Sequence, residues 1–175
     1  PQQGSTQVTD TQGRTQRWDW NADHEITAYT DALGQTSTQT WSDTKQLLSH
    51  TDPLGHTTTW TYDTAGNPTS STDPLGQSEH MQWSPAPVSL LTAQTDASGA
   101  SWKYHYDDAG NLTQEVDPLG QSTRYANNEH GQPVVITDAN GGRKQLQWDP
   151  RGLLVRYTDC SGKATRYTYD PHGNP

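Results

Sequence analysis

Phenylalanine is absent from this 175-residue chain, and cysteine and methionine occur once each. With Cys160 alone, no disulfide and no thiolate metal cluster can form within the chain; it falls at a turn position that elsewhere holds Pro, Ala or Thr. Only 28% of the residues are hydrophobic, and no apolar run approaches the ~18 residues of a membrane-spanning helix. The opening PQQGSTQVTD lacks the basic and apolar regions of a signal peptide, and the missing initiator methionine reads as a piece of a longer protein. Such a shortage of aliphatic residues normally points to disorder. Seven Trp and eight Tyr point the other way, towards a thin core built on aromatics with polar surface on both sides. A net charge of -9 argues against a polyanionic partner such as nucleic acid.

Motifs of reactive chemistry are missing too. There is no G-x-S-x-G, no P-loop and no Cys/His pair. Seven histidines (His24, His50, His56, His80, His105, His130, His172) are dispersed, without an H-E-x-x-H pattern or close pair, so no zinc site is expected. The acidic run at Asp107 and Asp108 lacks the EF-hand and nonapeptide calcium patterns and reads as a turn. Asn111-Leu112-Thr113 is a glycosylation sequon that coincides with the repeat described next. The expectation is a protein with no catalytic residue, no metal and no cofactor, and not an enzyme.

What the chain has instead is repetition. Asp10, Asp31, Asp52, Asp73, Asp96, Asp117, Asp138 and Asp159 recur every 21 residues, with one interval of 23. Each is followed three residues later by glycine: Gly13, Gly34, Gly55, Gly76, Gly99, Gly120, Gly141 and Gly162. Aspartate opens a turn by accepting a hydrogen bond from backbone two residues on. Proline at the next place pre-sets φ, and glycine tolerates a left-handed backbone. The aspartates are therefore read as corners of a repeated fold, in preference to the acids of an aspartyl self-protease.

A second column precedes each aspartate by 11 residues, or 13 in the irregular copy: Trp20, Trp41, Tyr62, Trp83, Tyr106, Asn127, Trp148 and Tyr169. Two residues earlier stand Trp18, Gln39, Trp60, Met81, Tyr104, Tyr125, Leu146 and Tyr167. A spacing of two puts both side chains on one face of a strand, and the Thr, Ser and Val around them favour strands. The second column leads into a second turn, as in YDTAGN and YDPHGN, where Asp63, Asp107, Asp149 and Asp170 stand first. Each unit is then one β-hairpin, joined to the next by another hairpin turn. The fold class expected is all-β, with tandem antiparallel hairpins through residues 1–175 in about eight repeats. Pro85 and Pro87 replace a turn in the fourth copy, so a wider irregular loop is expected at 84–93. Asn127, in an otherwise aromatic column, is expected to weaken packing locally.

The composite unit, clearest in YHYDDAGNLTQEVDPLG at 104–120, resembles the RHS repeat, also called the YD repeat, and most closely the shells of bacterial Rhs polymorphic toxins. That resemblance implies a curved, spiralling sheet forming part of a hollow shell. The shell would shield a C-terminal toxin of a secreted effector, made in the cytoplasm and used in interbacterial competition, until delivery. The partners implied are the rest of the shell, the enclosed toxin, and a secretion-apparatus or chaperone protein. The closely paired DPxG motifs that end such shells are missing, since the DPLG copies at Asp52, Asp73 and Asp117 lie whole repeats apart, so no cleavage role carries over. About sixteen strands at ~4.8 Å each span roughly 80 Å. That is less than one turn around a domain of ~100 residues, and leaves two strand edges able to pair with other chains. The alternative is a carbohydrate- or receptor-binding repeat of a cell-surface adhesin, using exposed Trp and Tyr.

Overall fold

The computed structural model describes residues 3–175. The fold is all-β, an unclosed antiparallel sheet whose strand order is the chain order. The strands are β1 (Gly4–Thr9), β2 (Thr15–Trp20), β3 (Ile26–Thr30), β4 (Thr36–Trp41), β5 (Leu47–Thr51), β6 (Thr57–Tyr62), β7 (Pro68–Thr72) and β8 (Ser78–Trp83). They continue as β9 (Leu91–Thr95), β10 (Ser101–Tyr106), β11 (Leu112–Val116), β12 (Ser122–Asn127), β13 (Pro133–Thr137), β14 (Arg143–Trp148), β15 (Leu154–Thr158) and β16 (Ala164–Arg166). From β2 to β15, six-residue strands alternate with five-residue strands, and five-residue connections fill out the 21-residue period. The chain divides into two compact units, the second comprising Trp83–Gln94 and Ala100–Pro175 and the first the remainder.

Within each unit the hairpins repeat one register. Thr30 faces Thr36, Thr51 faces Thr57 and Thr72 faces Ser78 at the D-x-x-G corners, with hydroxyls 2.8 Å apart in each pair. At the other end of the strands the register slips by one residue. Asp19 faces Ala28 but Trp20 faces Ile26, and the same bulge recurs at Thr40/Trp41, Thr61/Tyr62, His105/Tyr106, Ala126/Asn127 and Gln147/Trp148. A bulge leaves one residue unpaired and re-aims the side chains beside it. In this fold it sits at the residue of the second column each time.

The register puts Trp18 and Tyr29 side by side, with ring centroids 5.3 Å apart and tilted by 38°. Even so, no side chain among the described residues is fully buried. A single sheet layer explains this, because a second layer is what normally covers a sheet face. The irregular connection spans 84–90 and not 84–93, since Leu91–Thr95 is already strand. Tyr167 and Tyr169 lie beyond the last strand, which ends at Arg166, although the Tyr167 N–H still donates to the Val155 carbonyl at 3.0 Å.

Candidate functional site

The feature that recurs is a corner. At Asp52 the Gly55 N–H donates to the Asp52 carbonyl at 3.0 Å, and the Asp52 N–H donates to the His56 carbonyl at 2.9 Å. This is a type I turn followed by a residue in the left-handed region, the usual three-residue hairpin loop. The side chain completes it: Asp52 Oδ1 accepts from the N–H groups of Leu54 and His56 at 2.8 and 2.9 Å. The same pair of bonds is made by Asp10, Asp31, Asp73, Asp117, Asp138 and Asp159 at 2.8–3.0 Å. Asp96 accepts from the Ser98 N–H at 2.9 Å and the Ser98 hydroxyl at 2.7 Å. Gly13, Gly34, Gly55, Gly76, Gly99, Gly120, Gly141 and Gly162 all have φ between +78° and +88°.

The second set of turns is built the same way. Asn21, Ser42 and Asn128 take the aspartate's place beside Asp63, Asp107, Asp149 and Asp170. At two of these turns the left-handed position is held by His24 and Lys45, both at φ +66°, where a Cβ is strained. Ser84 keeps part of the pattern across the longer loop: its hydroxyl accepts from the Leu90 N–H at 3.0 Å.

The carboxyls of Asp10, Asp52, Asp63, Asp107, Asp149, Asp159 and Asp170 are held below their ordinary range. For Asp63, Asp107 and Asp170 the leading cause is the side-chain amide of Asn67, Asn111 and Asn174, then that residue's backbone N–H, against the loss of solvation. For Asp10 it is the Arg14 guanidinium, and for Asp52 the backbone N–H of His56. A carboxylate that accepts several hydrogen bonds favours its charged form.

The second column has a role that its aromatic character concealed. The β3–β4 ladder stops at Ala28 and Thr38, leaving the Ile26 carbonyl without a strand partner, and the Trp41 indole N–H donates to it at 2.7 Å. Tyr62, Tyr106 and Tyr169 hydroxyls do the same to Leu47, Leu91 and Leu154 at 2.8–2.9 Å, and the Trp148 indole to Pro133 at 2.8 Å. Asn127 Nδ2 donates to Leu112 at 2.9 Å. At Asn127, the position expected to weaken packing, the side chain makes the same bond 15 residues back that Trp41 and Tyr62 make. Trp20 packs its indole against the backbone of Gly4. Trp18, Trp60, Tyr104 and Tyr125 lie half-buried on the same face, with Tyr125 reaching Glu115 at 3.3 Å.

These groups are spread along the sheet and do not converge. No cluster of His, Cys, Asp and Glu suited to a metal occurs among the described residues. His56 bonds Asp52 at 2.9 Å and His130 lies 4.0 Å from Glu129, both at exposed corners, and Cys160 is exposed in a turn. The Asn111 amide is committed to Asp107 at 3.0 Å. No helix is long and apolar enough to cross a membrane. The chemistry on offer is backbone satisfaction: corners and columns together take up the groups that the ladders leave over.

The family model described as RHS Repeat matches residues 41–78, 89–122, 106–143 and 148–175, more than half of the chain. No curated protein matches the sequence. Among solved structures, the chain is similar to the Tc holotoxin pore of Photorhabdus luminescens at 13% identity, covering 97% of this chain and 12% of that one, with a TM-score of 0.56. It is similar to a TcdB2-TccC3 structure at 12% identity, 99% and 13% coverage and a TM-score of 0.55. The same protein without its hypervariable C-terminal region gives 13% identity, 98% and 12% coverage and a TM-score of 0.54. At these identities the likeness is one of fold, and this chain spans only 12–13% of the length of those chains.

Proposed function

The chain belongs to the RHS repeat family, and on that premise we propose that it is a stretch of wall in a shell that encloses and shields the C-terminal toxin of a secreted bacterial effector until delivery. The observation that carries this reading is the combination of an unbroken run of like hairpins with the lack of any fully buried side chain among the described residues. A single layer of this kind gains its purpose as a barrier. Its backbone groups are consumed in ladders and corners, so an enclosed chain meets few unpaired donors or acceptors. The action is steric, and it needs no reactive centre.

The partners in this reading are the rest of the shell, the enclosed toxin, and a secretion-apparatus or chaperone protein. The outer edges of β1 and β16 invite strand pairing, so the isolated stretch associates with itself when nothing covers them. The adhesin alternative draws no support from the donors of the second column, since the Trp41 and Trp148 indole N–H groups and the Tyr62 hydroxyl are already spent on backbone carbonyls.

The test is limited proteolysis of the full-length gene product. The expected result is a segment beyond the repeats that resists digestion in the native protein and is cut rapidly once the shell is opened by acid. Equal digestion rates in the two states overturn the proposal.

A further inference from the structure

The sheet face opposite the aromatic columns changes character between the two units. In the first it carries hydroxyls, such as Thr36, Thr38 and Thr40 on β4 and Thr59 and Thr61 on β6. In the second it carries cations. The cross-strand pairings set Gln114, Arg124, Thr137 and Arg143 in one row, and Gln147, Arg156 and Arg166 in another. Lys103, two residues before His105 on β10, shares the face. The one acidic strand residue of this unit, Glu115, faces Tyr104 and so lies on the other side. Five of the chain's eleven basic residues thus gather on a face without a carboxylate, in a protein of net charge -9.

The other arginines behave differently. Arg14, Arg17 and Arg151 are each paired with an aspartate, at 2.7, 2.5 and 3.0 Å. Arg124, Arg143, Arg156 and Arg166 make no ion pair among the described residues. Arg156 and Arg166 stand directly opposite each other, an arrangement that costs stability when both are charged. The Arg156 Nε is buried and has no hydrogen-bond partner, which costs more. The repulsion between the two guanidinium groups is relieved by an anion seated between them.

We propose that this face of the second unit binds an acidic polypeptide segment, whose carboxylates pair with Arg124, Arg143, Arg156 and Arg166. Guanidinium forks match carboxylates two bonds at a time. Gln147, in the same row as Arg156 and Arg166, offers its amide to a peptide backbone. Aspartate corners fence both ends of the strands, which are about 20 Å long at six residues. A peptide running across the strands stays inside that strip. A duplex, with a charge every ~1.7 Å, brings phosphates onto the fence.

The test is calorimetric titration of the 175-residue chain with poly-L-glutamate at low and at physiological salt, alongside a double-stranded oligonucleotide of equal charge. Poly-L-glutamate binds, and more weakly as salt rises. The triple variant Arg124→Gln, Arg143→Gln, Arg166→Gln loses about tenfold or more in affinity. The control Arg14→Gln, Arg17→Gln, Arg151→Gln removes the same charge elsewhere and loses less than about twofold. Circular dichroism verifies that both variants remain folded. No binding of poly-L-glutamate, or equal losses in the two folded variants, overturns the proposal. Tighter binding of the oligonucleotide overturns the choice of a polypeptide. None of these outcomes depends on whether the wall encloses a toxin.

Discussion

The side-chain amide of Asn127 reaches the carbonyl of Leu112 at 2.9 Å, in the place where one repeat earlier the Tyr106 hydroxyl reaches Leu91 at 2.8 Å. Trp41, Tyr62, Tyr106, Asn127, Trp148 and Tyr169 each use an N–H or O–H at the end of the side chain in this way, which Phe lacks. The chain contains no Phe at all. Tyr62→Phe, which keeps the ring and removes the donor, is therefore expected to cost about 1 kcal/mol in urea unfolding. Asn127→Leu is expected to cost at least as much, and Asn127→Tyr to be neutral or stabilising. A neutral Tyr62→Phe would return the column to a packing role.

His24 and Lys45 occupy the left-handed position that glycine holds in the neighbouring turns, at φ +66° each. The strain of an L-residue there is about 1 kcal/mol, and glycine removes it at a smaller cost in unfolded-state entropy. Each of His24→Gly and Lys45→Gly should raise stability by roughly 0.5 kcal/mol. Gly66→Ala, at φ +93°, should lower it, and a Cβ there also meets the Gln46 side chain at 3.2 Å. Thermal melts of the three variants decide it.

Acid should weaken the fold through its corners. Asp10, Asp52, Asp63, Asp107, Asp149, Asp159 and Asp170 all titrate below the ordinary carboxylate value because the folded chain hydrogen-bonds their charged form. A depressed folded value contributes stability that is full above the unfolded value, about 3.9, and is lost as pH falls through the folded one. Melting temperatures should hold steady from neutral pH to about pH 5 and drop below about pH 4. Asn21 and Asn128 already fill the corner without a charge, so Asp63→Asn should fold normally and shed its share of the acid sensitivity. A pH profile unchanged in that variant would sink this account.

The repeat, the hairpins and the corner residues were legible in the sequence because each corner demands particular atoms. A carboxylate must reach back to two N–H groups, and a left-handed residue must follow three places on, so Asp52 and Gly55 announce their geometry directly. The donor column was legible as a position but not as a chemistry. Trp41 and Tyr62 look like core aromatics, and only the early end of the β3–β4 and β5–β6 ladders shows that a carbonyl has been left over for each. The cationic face was hidden by the net charge of -9, because charge summed along a chain says nothing about which face of a strand each residue takes.

Four leucines in the third place of D-x-L-G corners, Leu33, Leu54, Leu75 and Leu119, are 81–82% exposed. Each lends the corner only its backbone N–H, as Leu54 does to Asp52 at 2.8 Å, while its side chain stands in solvent. In this stretch on its own the leucine side chains therefore contribute almost nothing to folding. Leu54→Ser should change the unfolding free energy by less than about 0.5 kcal/mol. Asp52→Ala, which takes away two accepted hydrogen bonds at the same corner, should lower stability more than Leu54→Ser does. If Leu54→Ser instead proves the more damaging change when measured in the full-length protein, the side chain of Leu54 packs against a part of that protein outside these residues.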